Sequence, residues 1–377
     1  MNGIYIHIPF CNSICSYCDF PKQLAKRETK EIYMEHLLKE LSSYEKQDWF
    51  SSKWALKTES VYIGGGTPNS LSLSQLERLF QALKPYLSRS KENTIEINPE
   101  LLTEEQVSLF KRYGINRISI GVQTLNPKLI QIIRRNHTEQ IVKEAVKLLK
   151  KCGITNINLD MMYGLPGQTL KDVKQDVKKI LHLDVPHISY YSLIVEEKTI
   201  LSYELKHSQT QLPDDDSVVD MANYLTKKLK KRQFIHYEIS NYAKKGYEST
   251  HNLGYWSCFE YLGIGASACS YFQHKRIQNP SSLVKYYRNE ERICTPISSK
   301  EAKKEFMMLG LRKLNGISVD DYFQRFKTYP KDDFDLVSLF KKGLIEEKNG
   351  LIRIKEDKIW LGNLVFEAFV GGAEDEE

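Results

Sequence analysis

Apolar and polar positions in the first half of the chain alternate between two periods. Short apolar runs predict strands at Ile4–Ile8, Val61–Ile63, Thr94–Ile97, Arg117–Val122, Asn156–Met161 and His187–Leu193. Helical spacing falls between them. Ile141, Val142, Ala145, Leu148 and Leu149 share one face, with Thr138 placed to cap the start and Gly153 just past the end. Leu170, Val173, Val177, Ile180 and Leu181 repeat that spacing over Thr169–Leu181. Six strands alternating with helices predict parallel βα units. The alternation stops near residue 195, so the expected fold class is α/β, with a partial (β/α)6 barrel rather than a full one.

Past that point the pattern changes. A helix is expected over Asp214–Arg232 and a strand over Phe234–Ser240, followed by a polar, aromatic-rich loop at His251–Trp256. Further helices are expected at Glu301–Leu314, at Val319–Phe326 and up to Lys342. A hairpin at Ile345–Ile354 around Asn349-Gly350 precedes a last helix, Ile359–Phe369. Three parts follow: a barrel over residues 1–195, a barrel-capping α+β segment over 196–297, and a helical, winged-helix-like end over 298–377. There is no internal repeat and no low-complexity linker.

The chemistry starts at the end of the first strand. Cys11, Cys15 and Cys18 stand at C-x3-C-x2-C, with no fourth cysteine nearby. Three thiolates on a short loop can hold three irons of a [4Fe–4S] cluster and leave the fourth open to a small chelating ligand. A zinc site would want four closed ligands or a histidine partner at finger-like spacing. A disulfide would leave one cysteine over. In barrels of parallel βα units, function gathers on loops after the strands. Here those ends carry the cysteines, Gly64-Gly65-Gly66-Thr67, Glu96 with Asn98, Gly121 with Gln123, Asp160 with Gly164, and Tyr190-Tyr191-Ser192. The glycines would let backbone approach a ligand, or simply make a tight turn. Glu96 could accept hydrogen bonds from ribose hydroxyls or an amino group. Gln123, Arg135 and Asp160 could hold a second polar ligand. His251, Tyr255 and Trp256 could flank a flat aromatic ligand with the imidazole on its iron, or could pack as an aromatic loop.

Composition narrows the setting. The 377 residues are 41% hydrophobic and 27% charged, as in an ordinary globular chain with a sizeable core. No run approaches the roughly 18 apolar residues of a membrane span, and the N-terminus lacks the features of a signal peptide. Seven cysteines, three of them clustered, fit a reducing cytoplasm. The net charge of +6 is spread over helices, as at Lys171, Lys174, Lys178 and Lys179, so nucleic acid is not an expected partner. The acidic end, Glu374-Asp375-Glu376-Glu377, reads as a frayed tail.

The spacing of Cys11, Cys15 and Cys18 resembles that of the radical S-adenosylmethionine (SAM) superfamily, in which SAM chelates the open iron of the cluster. His7-Ile8-Pro9-Phe10-Cys11, Tyr17-Cys18-Asp19-Phe20 and Gly64-Gly65-Gly66-Thr67-Pro68 are similar to one branch. That branch holds oxygen-independent coproporphyrinogen III oxidase and the heme chaperones related to it. The resemblance runs from Tyr5 to about Leu311. It implies that Tyr5, Gly65 and Glu96 contact cluster-bound SAM. It also implies that Tyr17, Gly66, Thr67, Gln123, Arg135 and Asp160 surround a second SAM or substrate pocket. His251-Asn252-x-x-Tyr255-Trp256 matches a motif of the heme chaperones, which implies heme as ligand and an unidentified heme-acceptor protein as partner.

The resemblance makes a heme chaperone the expected function, with the oxidase as the alternative; the basic charge and the C-terminal module add, more remotely, a radical-SAM enzyme acting on RNA. The oxidase signature has another cysteine two residues after the third, where this chain has Phe20, and a long extension ahead of its cluster. The chaperone relatives read Gly-Ala-His-Ser where this chain has Ser267-Ala268-Cys269-Ser270, which makes Cys269 a second candidate heme ligand.

Overall fold

The computed structural model describes residues 2–50 and 54–370. Strands β1 (Asn2–Ile8), β2 (Thr58–Gly65), β3 (Glu92–Ile97), β4 (Arg117–Gln123), β5 (Asn156–Tyr163) and β6 (His187–Ser192) lie side by side in sequence order. Every neighbouring pair is parallel. The six predicted strands and the partial βα barrel are therefore present.

Side chains alternate between the two faces of the sheet. Ile4, Ile6, Ile8, Val61, Ile63, Ile95, Ile97, Ile118 and Ile120 are buried in one core under the outer helices. Their neighbours in sequence face the opposite way. They meet one another inside the barrel: Tyr62 with Glu96, Ser119 with Asp160, and Asn158 with His187. The barrel thus has an apolar jacket and a polar lumen. The helices start where the caps put them. Thr138 accepts from the Ile141 amide at the head of Glu139–Lys151. Thr169 and Asp172 form a capping box at the head of Leu170–His182.

Residues 235–296 contribute further strands to the same sheet. They extend the sheet on both sides until it has 12 strands. On one edge, β8 (Asn241–Ala243) pairs antiparallel with β6, and β7 (Ile235–Glu238) pairs with β8. On the other edge, β9 (Glu260–Ile264) runs parallel to β1, followed by antiparallel β10 (Cys269–Phe272), β11 (Lys275–Gln278) and β12 (Ile293–Pro296). The run Tyr261–Ile264 is short and glycine-interrupted, which hid a seventh parallel strand from the periodicity.

The C-terminal region packs around its own core of Met307, Leu311, Ile317, Tyr322, Leu339 and Phe366, among others. Its three-stranded sheet contains the predicted hairpin, and Asn349 and Gly350 turn it with φ of 54° and 72°. The helix expected to reach Leu314 ends at Gly310, ahead of a turn at Gly316, whose φ is 75°. The last helix is Gly362–Val370, after a 3-10 turn at Glu356–Leu361.

Two further readings of the sequence meet the structure here. Lys171, Lys174 and Lys178 are not dispersed: they line one groove with Lys228 and Arg232. Spacings of three and four put them on one helix face, beside the helix Asp215–Lys231. The acidic end at Glu374–Glu377 lies outside the described residues.

Candidate functional site

The loop after β1 is held at both ends by backbone. Phe10–Cys11 pairs with Gln23–Leu24 in a short parallel bridge, closing the chain on either side of the cysteines. Ser16 at its centre is buried, donating from its amide to the Ile133 carbonyl at 3.2 Å while its own carbonyl accepts from Leu201 at 2.8 Å. The three sulfurs around it are free and half-buried.

Hydrogen-bond donors from the segment after β2, from the segment after β4 and from the loop itself meet the cysteines. The Thr67 hydroxyl donates to Cys11 Sγ at 3.4 Å. Arg135 Nη1 lies 3.8 Å from Cys15 Sγ. Lys22 donates to the Cys18 carbonyl, and its charge favours the thiolate of Cys18 against the burial that pushes that thiol up. Two cations and a hydroxyl are what a set of buried thiolates requires. Among the described residues, no three His, Cys, Asp or Glu side chains converge as they would on a single metal ion. Three thiols on one loop, with a hydroxyl and a guanidinium donating to two of the sulfurs, make a donor set that fits a [4Fe–4S] group.

The glycines resolve differently from either simple expectation. The Gly65 amide donates to Glu96 Oε2 at 3.0 Å, and the Gly66 amide to the Ile8 carbonyl at 2.8 Å. These amides are thus engaged by the protein itself. A Cβ on Gly65, whose φ is 113°, would lie 2.6 Å from the His7 ring, and one on Gly66 would lie 2.8 Å from the Phe10 carbonyl oxygen. Glycine is needed here so that β1 and β2 can close on each other behind the cysteine loop.

Beside that turn, Tyr5, Tyr62 and Glu96 form the wall of the lumen. The Tyr62 hydroxyl donates to Glu96 Oε1 at 2.7 Å. Burial raises the Glu96 carboxyl to about 7, with the Tyr62 and Gly65 hydrogen bonds working the other way. The Tyr5 hydroxyl meets His7 Nδ1 at 2.9 Å, and His7 Nε2 meets the Pro21 carbonyl at 3.2 Å. A neutral imidazole protonated on Nε2 satisfies both contacts, and burial lowers the His7 pKa accordingly. Tyr62 and His7 were not picked out as site residues. The signal was present in the alternation, which places them on the same inward face as Glu96.

Arg135 is not a surface helix charge. Its Nη2 donates to the Gly121 carbonyl at 2.6 Å and to Asn98 Oδ1 at 3.0 Å. Arg135 thus joins the ends of β3 and β4 to the cysteine loop. Gln123 stands next to it at a positive φ of 63°, and its Oε1 is buried without a partner among the described residues. Such an orphaned acceptor suits a ligand that donates a hydrogen bond. Asp160 accepts from Ser119 at 2.7 Å and from Asn158 at 2.8 Å, and burial raises its pKa. Tyr17 packs on a small apolar cluster that includes Ile133, Met162 and Leu165.

His251 is the residue the structure moves furthest from its expected setting. It lies on a helix, Thr250–Trp256, and not on a polar loop. Ser249 caps that helix, and seven residues are too few to show a helical period. The ring is 1% exposed, against Ser60 and Tyr62. Ser60 and Glu92, which hold this helix, lie at the starts of their strands, the end opposite the cysteines. The rings of Tyr62, Tyr255 and Phe259 enclose the His251 ring. Tyr255 and Trp256 line a separate cleft of roughly 200 Å³ with Cys258, Tyr261, Tyr271 and Arg276. Cys269 is half-buried, with the Arg276 charge opposing the effect of burial on its thiol.

Six parallel strands, a three-cysteine loop at the end of the first and a polar lumen behind it define a radical-SAM barrel. The sequence pattern of the Radical SAM superfamily matches residues 5–180, and that of the HemN C-terminal domain matches residues 297–361. Heme chaperone HemW of Lactococcus lactis subsp. lactis (strain IL1403) is 39% identical, over 98% of this chain and 97% of its own. Heme chaperone HemW of Bacillus subtilis (strain 168) is 36% identical, over 98% of this chain and 100% of its own. The chain belongs to the HemW family of the radical SAM superfamily. Among solved structures, coproporphyrinogen III oxidase (HemN) from Escherichia coli superposes with a TM-score of 0.81 at 20% identity, over 98% of this chain and 89% of that one. At that identity the likeness speaks for the fold alone. Among the described residues, no helix is long and apolar enough to cross a membrane.

Proposed function

We propose that this protein is a heme chaperone that carries a SAM-ligated [4Fe–4S] cluster and passes heme to an acceptor protein. The observation that carries this reading is the match to the Lactococcus lactis chaperone over almost the whole of both chains. Cys11, Cys15 and Cys18 hold the cluster, supported by the Thr67 and Arg135 donors to two of the sulfurs. Bound there, a [4Fe–4S] group would leave one iron open for the amino and carboxylate groups of SAM to chelate. The residues of this chain do the rest. Tyr5, Gly65 and Glu96 shape the wall beside the turn. Gln123 and Arg135 offer an acceptor and a cation at the second pocket, with Asp160, Tyr17, Gly66 and Thr67 around them. The seven unpaired thiols support a reducing cytoplasm as the setting.

For the heme, Cys269 is better supported than His251. It is half-buried beside a guanidinium that favours its thiolate, while His251 is enclosed. Arg276, ion-paired with Glu305, and the rings of Tyr261 and Tyr271 supply a guanidinium and flat apolar walls nearby. We read residues 1–195, 196–297 and 298–377 as barrel, sheet extension and C-terminal unit. The reading is tested by titrating the anaerobically reconstituted protein with heme, and separately with coproporphyrinogen III, SAM and a reductant. Stoichiometric heme binding without porphyrinogen turnover is expected. Turnover at enzymatic rates would replace the chaperone with an oxidase.

A further inference from the structure

We propose that His251 and Tyr62 are positioning residues for Glu96, acting on the SAM site from the far end of the barrel. This rests on the reading of Glu96 as a SAM contact. It gives the histidine of the His251–Trp256 motif a task other than binding iron.

The geometry forms a continuous path. Glu92 receives the start of the helix Thr250–Trp256. Its carboxylate accepts from the Ser249 hydroxyl at 3.1 Å, the Thr250 amide at 2.9 Å and the His251 amide at 3.0 Å. With three donors on one carboxylate, the helix end is fixed both electrostatically and by hydrogen bonds. His251 Nδ1 then meets the Ser60 hydroxyl at 2.8 Å. Space for the ring comes from Gly3, where a Cβ would stand 3.2 Å from His251 Cε1. Burial, with the nearby Arg117, pushes the His251 pKa down to about 3, so the ring is neutral.

This neutral ring stacks on Tyr62, with centroids 5.0 Å apart and planes at 28°. Tyr62 in turn donates to one oxygen of Glu96, while the Gly65 amide donates to the other. A carboxylate with one fixed donor on each oxygen cannot rotate without losing one of them. Of the two motifs that looked separate in the sequence, Gly64–Thr67 thus touches this carboxylate through the Gly65 amide, and His251–Trp256 reaches it through the ring of Tyr62. His251 Nε2, Thr94 Oγ1 and Arg117 Nε are buried without partners among the described residues. Thr94 is the register partner of both Tyr62 and Arg117, so these atoms face one level of the lumen. Groups of this kind are satisfied by ordered water.

The test uses the full chain with its cluster reconstituted, and reads SAM binding from the change in the reduced cluster's electron paramagnetic resonance spectrum. Tyr62→Phe keeps the stack and removes the donor. His251→Phe keeps a ring beneath Tyr62 and removes the link to Ser60. Iron content monitors folding. Loss of the phenol hydrogen bond should weaken SAM about tenfold. Tyr62→Phe should also raise the pH midpoint of SAM binding. The phenol favours the charged form of Glu96, as do Gly65 and Arg117, whereas Asp160 opposes it. A midpoint shift is not expected of a residue that only fills space. His251→Phe should weaken SAM binding and leave the heme titration as in the wild type. The inference is overturned if both variants match the wild type in SAM affinity and midpoint. It is also overturned if His251→Phe loses the heme Soret band while SAM binding is unchanged. A wild-type spectrum that ignores SAM would instead bring down the SAM-site reading, and this inference with it.

Discussion

Arg135 reaches Cys15 from 120 residues further along the chain, placing a guanidinium nitrogen 3.8 Å from its sulfur. The same side chain holds the Gly121 carbonyl and Asn98, so the ends of two other strands are tied to the cysteine loop through one cation. Removing it should affect the cluster without unfolding the barrel.

Anaerobic reconstitution is expected to give about four irons per chain. Cys11→Ala should lose the cluster, while Cys152→Ala and Cys294→Ala, on distant surfaces, should keep it. Arg135→Met should retain iron but shift the midpoint potential downward, because a cation that favours the oxidised thiolate-rich group less than the reduced one has gone. Iron analysis and a redox titration check this, and an unchanged potential would count against Arg135 acting on the cluster.

The heme ligand is assigned by two variants. Cys269→Ala should shift the Soret band, and His251→Ala should leave it in place. Thiolate and imidazole ligation give different spectra, so the titrations separate the two residues directly.

The glycine turn behind the cysteines predicts a contrast. Gly65→Ala puts a methyl 2.6 Å from the His7 ring at a φ of 113° and should impair cluster assembly. Gly350→Ala meets nothing within 4 Å and faces only its φ of 72°, so it should cost about 1 kcal/mol. Iron content and denaturant midpoints measure the two effects.

The cap under the barrel predicts another. Glu92→Ala leaves three donors of the segment Ser249–His251 without their acceptor and should destabilise the protein by about 3 kcal/mol or more. Lys91→Ala breaks only an exposed pair with Glu59 and should change stability by less than about 0.5 kcal/mol. Urea unfolding of both variants gives the comparison.

Stability should also fall as pH rises through the acid range at one buried carboxyl. Burial raises Glu238 from 4.5 to about 7. The neutral form is thus favoured by folding, and its contribution is full below about pH 4.5 and lost by about pH 7. Glu238→Gln should flatten that slope and stabilise the protein above neutrality by up to about 3 kcal/mol. Unfolding curves at pH 5 and pH 8 test the sign.

The strands, caps and cysteine loop were legible because each leaves a local mark. Val61–Ile63 is an apolar run, Thr138 precedes a helical face, and Cys11, Cys15 and Cys18 share one loop. The parts that were not legible depend on pairing over distance. β9 is short and interrupted by Gly263, and only its pairing with β1 makes it a strand. The helix holding His251 is shorter than two periods, so its polar residues resembled a loop. Tyr62 sat inside an apolar run, where nothing local marks its hydroxyl as the partner of Glu96.

The position of β1 also affects the order in which the protein can form. One neighbour of β1 begins at Thr58, but the other is Glu260–Ile264. A chain leaving the ribosome therefore carries its cysteines just after a strand with one bare edge until most of the protein has been made. Closing that edge is a contact of very long sequence separation, and such contacts form slowly. The thiols are consequently present, and open to iron or oxidant, well before the barrel that shelters them is complete.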